Sequence, residues 1–261
     1  MRIGQIVPSS NTTMETEIPA ILRKRERMLP AETFTFHSSR MRMKQVTKDE
    51  LAAMDRDSLR CAAELADAAV DVVGYACLVA IMSMGRGYHC TSQAALLQRM
   101  KDEGHAAPVI TSAGALVEEL KLAGVRSISL LTPYMPNLTA LVVDYISDQG
   151  IRVVDSISLS IQDNLEVGRR DPMALLSDAE RLNVQGADLV VASACVQMPS
   201  LAAIPLLEQR LGMPVTSAAV CTTRSMLRAL KLEPLAPDAG FMLSDANKGT
   251  DASASFGRQA Q

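Results

Sequence analysis

The 261-residue chain has three histidines, His37, His89 and His105, none in a His-Glu-x-x-His arrangement, and five cysteines, at 61, 77, 90, 195 and 221, without a Cys-x-x-Cys pair. Zinc sites and histidine-base catalysis therefore lack their usual material, and neither a metal nor a cofactor is expected. A net charge of −3 and the lack of a dense Lys/Arg run exclude nucleic acid as an expected partner. No stretch approaches the roughly 20 consecutive apolar residues of a membrane helix, so no membrane partner is expected. The opening Met1-Arg-Ile-Gly-Gln-Ile-Val7 is strand-like and lacks the pattern of a secretory signal. A cytoplasmic location with reduced thiols follows as the expectation.

A hydrophobic content of 48% is enough for a full core. Short β-branched runs alternate with longer segments of helical period, which predicts βα units around parallel sheets. Strands are expected at Arg2–Val7, Thr33–His37, Asp71–Ala76 and Pro108–Thr111, with helices at Thr13–Arg23, Lys48–Ala68, Cys90–Glu103 and Gly114–Leu122. A second series places strands at Ser127–Leu131, Arg152–Ser156, Asp188–Ser193 and Pro214–Thr216, with helices at Leu138–Gln149, Pro172–Gln185, Leu201–Arg210 and Cys221–Leu230.

The two series also match in residues. Val70-Asp-Val-Val-Gly-Tyr-Ala-Cys77 parallels Asp188-Leu-Val-Val-Ala-Ser-Ala-Cys195, and Pro108-Val-Ile-Thr-Ser-Ala113 parallels Pro214-Val-Thr-Ser-Ala-Ala219. This internal duplication predicts two similar doubly wound α/β half-domains, residues 1–120 and 121–245, related by a pseudo-twofold with the active site in the cleft between them. From about Leu243 the apolar periodicity is lost, and residues 246–261 are read as a disordered tail. Ligands of open parallel sheets sit beyond the carboxyl ends of strands, where loops and helix N-termini supply polar groups. All candidate residues fall at such ends.

A free cysteine most often only packs, and Cys61 and Cys221, inside helical segments, fit that reading. Cys77 and Cys195 differ because they hold equivalent positions in both copies, each where an apolar run meets a loop of small residues. Backbone amides at Leu78-Val79 and Val196-Gln197 would face the same cleft. Two thiols on one small substrate can divide labour: one attacks carbon or removes a proton, and the other donates a proton from the opposite side.

In order, Ile6-Val-Pro-Ser-Ser-Asn11-Thr-Thr-Met-Glu15, Gly74-Tyr-Ala-Cys77, Leu131-Thr-Pro-Tyr134 and Ser193-Ala-Cys195 resemble the aspartate/glutamate racemase superfamily and, within it, the maleate cis-trans isomerases. The resemblance spans the chain to about residue 245. Arylmalonate decarboxylases of the same superfamily carry one catalytic cysteine, in the second half; here both positions are Cys.

The resemblance implies that the Cys77 thiolate adds to maleate while Cys195 donates and removes the proton, and that fumarate leaves through a succinyl-cysteine intermediate. It also implies uncharged substrate donors: Asn11, Tyr134 and Asn164, with amides around Leu78, Val79, Val196 and Gln197. Arg86 and the Arg169-Arg170 pair are read as surface charges. Asn11 alone would also serve as a helix cap, and Asn164 as a turn residue in Gln162-Asp-Asn-Leu165. A homodimer and a role in catabolism of aromatic compounds are further expectations of the resemblance. The alternative is a cofactor-independent amino-acid or hydantoin racemase, using the two thiols as opposed acid and base.

Overall fold

The computed structural model describes residues 1–44 and 48–247; most of the expected tail, 248–261, lies outside the described residues. The chain runs β1 (Arg2–Pro8), α1 (Met14–Met28), β2 (Thr35–Met41), α2 (Lys48–Asp67), β3 (Val72–Tyr75), α3 (Leu78–Ser83), α4 (Tyr88–Asp102), β4 (Val109–Thr111) and α5 (Ser112–Leu122). It continues with β5 (Ser127–Thr132), α6 (Pro136–Asp148), β6 (Arg152–Ser158), α7 (Asn164–Arg169), α8 (Leu175–Ala179), β7 (Leu189–Ser193), α9 (Ile204–Leu211), β8 (Val215–Ser217) and α10 (Ala218–Ala229). Two four-stranded parallel sheets result, ordered β2-β1-β3-β4 and β6-β5-β7-β8. The same order recurs in each, as duplication requires.

The central strands β3, β5 and β7 are buried along their whole length, and β1 at all but Arg2. Helices cover both faces of such strands, which explains their continuous apolar runs. The edge strands β2 and β6 are largely half-exposed and read as polar. For that reason β2 begins and ends later than the expected Thr33–His37: its ladder with β1 runs on to Pro8↔Met41, carrying Ser38, Ser39 and Arg40 past the last apolar signal.

Both final βα units turn from strand to helix without a loop. The Thr111 hydroxyl accepts from the Gly114 N–H at 3.1 Å, and the Ser217 hydroxyl accepts from the Val220 N–H at 3.3 Å. These caps start α5 and α10 earlier than apolar period alone suggests. The expected helix Pro172–Gln185 breaks up instead: a 3-10 turn at Pro172–Ala174 leads into the short α8. Beyond it Asp155 accepts the Asn183 N–H at 2.8 Å and the Asn183 side chain accepts the Gln185 N–H at 3.0 Å, bonds that compete with helix continuation. Two short helices, α3 and α7, are additions to the expected elements.

All strands of one sheet precede residue 112 and all strands of the other follow residue 126, yet the helices interlock across that division. Helix α10 packs on α5, α1 and β3, so that a side chain at Gly74 would meet Met226 and Met14. The wholly buried Arg224 on α10 donates to Glu119 on α5 at 2.7 Å and to the Met242 carbonyl. Buried Arg25 on α1 likewise donates to the carbonyls of Glu233 and Leu235, at 2.6 and 2.5 Å. These bonds hold the C-terminal segment down, and order persists past the expected limit: Leu243 and Asn247 are fully buried, with a 3-10 turn at Asp245–Asn247. Among the described residues no helix is long and apolar enough to cross a membrane.

The Glu119–Arg224 pair lies at the junction of the two units. Glu119→Leu would remove the buried carboxylate that accepts from Arg224, and unfolding free energy by urea titration should fall by about 3–5 kcal/mol.

Candidate active site

The best-placed chemistry in a sheet of this order lies between its two central strands, where successive connections leave in opposite directions. In the first sheet those strands are β1, which runs into Asn11, and β3, which runs into Cys77. Their counterparts β5 and β7 run into Tyr134 and Cys195. The four ends converge on one cavity of about 20 Å³, lined by Pro8, Met43, Val79, Val196 and Gln197 together with Asn11, Cys77, Tyr134, Asn164 and Cys195. That is room for about one water. Among the described residues none that lines it is charged.

Cys77 sits between β3 and α3 with φ 85° and ψ 71°, a left-handed conformation that costs a non-glycine residue roughly 1–2 kcal/mol. The bend sets its thiol at the N-terminus of α3, where the Ala80 N–H donates to Sγ. Burial nevertheless dominates, and the thiol is pushed up to about 12, with proximity to Cys195 adding to the rise. Cys195 is followed by a turn rather than a helix. Burial raises its thiol too, but against three donors: the Tyr134 hydroxyl and the N–H groups of Gln197 and Met198. The two thiols are therefore unequal, since a thiolate at Cys195 is far better hydrogen-bonded than one at Cys77.

Tyr134 links them. Its oxygen accepts the Val79 N–H from α3 while its hydroxyl donates to Cys195, and burial holds its own ionisation well above the ordinary tyrosine range. Asn11 fills the capping role considered for it. Its Oδ1 accepts the N–H groups of Thr13 and Met14, each at 3.0 Å, capping α1; its Nδ2, without a partner among the described residues, is left to donate. Asn164 is the first residue of α7 rather than a turn residue, and its Nδ2 donates to Ser10 Oγ at 2.8 Å.

Of the nine residues proposed from sequence, only Leu78 stays off the cavity wall; its side chain is fully buried in the core. Pro8 and Met43 were not anticipated. Nor was the role of Arg40, at the end of β2, which donates to the carbonyls of Ser9 and Asn11 at 3.0 and 2.6 Å and pairs with Glu15. Arginines near the candidate loops are thus not confined to Arg86, Arg169 and Arg170; the later start and end of β2 bring this one in. Arg86 is an exposed partner of Asp148 and Arg169 of Glu166, whereas Arg170 is mostly shielded and bound to Asp178 rather than a solvated charge.

The turn after Cys195 is held from several sides. Ser193 Oγ donates to the Cys195 and Met198 carbonyls at 2.7 and 3.1 Å. Across the cleft, buried Glu17 of α1 accepts the N–H groups of Ser200 and Leu201, both at 2.6 Å. Burial raises the Glu17 carboxyl, partly opposed by these bonds. Thr132, at the end of β5, shares its hydroxyl with Thr139 at 2.6 Å in the second half. Beside the thiol cavity opens a vestibule of about 760 Å³, and Met43, Tyr134 and Asn164 form the wall common to both.

Paired parallel α/β units of matching strand order, with thiol chemistry at their facing strand ends, place the chain in the aspartate/glutamate racemase-like class. A family model described as arylmalonate decarboxylase matches residues 3–243. The maleate isomerase of Geobacillus stearothermophilus is 58% identical over 243 residues, 93% of this chain and 97% of that one. Within the class, the chain belongs to the maleate isomerase family. Among solved structures, a Pseudomonas putida S16 maleate isomerase with a cysteine-to-alanine change, crystallised with maleate, superposes with a TM-score of 0.92 at 56% identity, covering 94% of this chain and 98% of that one. A Nocardia farcinica maleate cis-trans isomerase with a cysteine-to-serine change and a covalently bound succinylcysteine intermediate superposes with a TM-score of 0.89 at 42% identity, covering 93% and 97%.

With its thiol held up by burial, Cys77 is neutral at physiological pH in the resting protein. Its alkylation by iodoacetamide, followed by peptide mass spectrometry, should rise about tenfold per pH unit from about pH 7 to about pH 10 without levelling off. A plateau below about pH 8 would contradict the protonated resting state.

Proposed function

We propose that this protein isomerises maleate to fumarate without a cofactor, with Cys77 as the nucleophile and Cys195 as the proton donor and acceptor. The observation that carries the assignment of roles is the unequal hydrogen bonding of the two thiols around one uncharged cavity.

The chemical task is to remove a double bond long enough for rotation. Cys77 first loses its proton to solvent through the vestibule, and the resulting thiolate adds to one alkene carbon of maleate while the displaced electron pair moves through the other carbon onto its carboxylate as an enolate. The Cys195 S–H then protonates that second carbon, leaving a succinyl group on Cys77 and a thiolate at Cys195. The former double bond is now single and turns. Cys195 thiolate takes a proton from the carbon it had protonated, the double bond re-forms in the trans geometry, and the Cys77 thiolate leaves. The released Cys77 thiolate recovers its proton from solvent, and atoms and charge return to their starting places.

The donors match these needs. Cys195 must remain a thiolate for the lifetime of the adduct, and Tyr134 with two amides stabilises it there. Cys77 must be a strong nucleophile, and a thiolate with one amide donor in a dry site retains its reactivity. Uncharged amide donors on Asn11 and Asn164 orient the carboxylates and meet enolate charge as it forms, whereas fixed cations would bind the ground-state dianion equally well. A racemase would need the two thiols as equal, opposed acid and base at one carbon, and the asymmetry around Cys77 and Cys195 speaks against that. We further propose a cytoplasmic homodimer, a reading that rests on the family resemblance.

Proton NMR of the protein with maleate, without added metal or cofactor, should show fumarate accumulating. No conversion in reducing buffer at neutral pH would overturn the assignment. Cys77→Ser should abolish turnover. Cys195→Ser should slow it by at least about a hundredfold while leaving the protein able to gain the mass of one maleate on Cys77. Tyr134→Phe should lower kcat by about tenfold or more, with the loss in the proton-transfer steps.

A further inference from the structure

A four-carbon dicarboxylate is larger than a cavity of about 20 Å³, so the thiols as seen here lie in a closed site with the vestibule outside it. What keeps it closed is traceable through the shared wall. Tyr134 is fixed by Val79 and Cys195, and Met43 is fixed through its backbone, which donates to Ser9 Oγ at 2.9 Å and accepts from it at 3.1 Å. Asn164, the third member, is carried by the six-residue α7, and its backbone is held by one side chain from the opposite side of the cavity.

That side chain is Gln197. Its Oε1 accepts the Thr12 N–H at 2.8 Å, and its Nε2 donates to the Ser10 carbonyl at 3.1 Å and to the Asn164 carbonyl at 2.7 Å. It is 3% exposed, with both amide N–H donors and the carbonyl oxygen engaged. Three chain segments thus meet on one amide: the loop with Asn11, the turn with Cys195 and the start of α7. Gly168 completes the fit, since a side-chain carbon there would lie 2.5 Å from Gln197 Nε2 and 2.6 Å from Thr12 Oγ1. Gly168 has no left-handed backbone conformation, so its missing side chain serves the close approach of α7 rather than a turn.

We propose that the Gln197 side chain is a positioning residue that latches α7 over the thiols, setting Asn11 and Asn164 at their working distance, and that substrate reaches Cys77 from the vestibule when this latch opens. The inference rests on the proposed reaction for its substrate, but the latch itself is readable without turnover.

The test uses Gly168→Ala, Gln197→Leu and Gln197→Glu in the full chain. Gly168→Ala adds a methyl that pushes the Gln197 amide out of place; the lost buried hydrogen bonds outweigh the better helix propensity of alanine, so Tm should fall modestly in a protein that still folds. Cys77 alkylation should then accelerate at least about fivefold, and KM for maleate should rise about tenfold or more, as the loss of one or two hydrogen bonds to the latch implies. Gln197→Glu keeps the acceptor for Thr12 but turns an anion toward two carbonyls; it should resemble Gln197→Leu rather than the parent. Unchanged alkylation and KM in Gly168→Ala would overturn the proposal, and so would a fall in Tm with KM unaltered in the folded fraction, the mark of a merely structural residue. Should Gln197→Leu fail to fold, Gly168→Ala decides alone. Faster alkylation in a protein that does not isomerise maleate would support the latch and overturn the functional reading.

Discussion

Two thiols share a cavity from which water and charge are nearly excluded, and the other features of the site follow from that constraint. A thiolate in such a place is costly, so both cysteines rest protonated, and any ionised form depends on the few N–H and O–H groups aimed at it. Cation assistance would lower the thiol pKa more simply, but a fixed positive charge would also grip a dianionic ligand before and after reaction alike. The neutral solution trades ease of ionisation for reactivity of the ion. It also explains why the strand ends carry asparagine, tyrosine and bare amides, while Arg40 is turned to backbone carbonyls behind the Asn11 loop.

Keeping such a cavity dry requires that two sheets with no shared strand behave as one body. The connections doing this are buried and polar: Glu17 to the Ser200 and Leu201 amides, Gln197 to Ser10 and Thr12, Arg224 to Glu119, Tyr134 to Val79. Apolar packing between α10 and the first sheet adds area but little direction. Hydrogen-bonded side chains in a low-dielectric interior fix relative position more sharply, because any displacement leaves a buried donor or acceptor unsatisfied. The cost of a broken partnership is what keeps the strand ends facing one another.

The duplicated βα pattern was legible because parallel central strands are buried on both faces and their apolar runs survive in the sequence; Val72–Tyr75 and Leu189–Ser193 announce themselves. Edge strand β2 was legible only in its first residues, since Ser38, Ser39 and Arg40 are placed by the ladder to β1 and not by their own propensity. Helix α3 has six residues, too few for a period, and is enforced by the bend at Cys77. The cysteines stood out through the duplication, whereas Asn11, Tyr134 and Asn164 came from the family resemblance. Gln197 was named for its backbone, but its side chain joins positions 185 and 187 residues away in sequence, at Thr12 and Ser10, and no local pattern encodes such a bond.

Duplication gave the two thiols equivalent positions, yet the surroundings have diverged, and the divergence lies in the residues that follow each cysteine. After Cys77 the chain enters a helix whose free first-turn amides diverge, so that Val79 donates to Tyr134 and only Ala80 reaches the thiol. After Cys195 the chain turns and wraps, so that two amides fold back onto sulfur and a tyrosine from the neighbouring strand adds a third donor. A symmetric ancestor with either arrangement on both sides would hold two equivalent thiols, suited to passing a proton across a single carbon. Forming and breaking a carbon–sulfur bond needs one poorly stabilised thiolate that attacks and another that waits as an anion. Helix on one side and turn on the other supply that inequality from the backbone itself, without changing either cysteine.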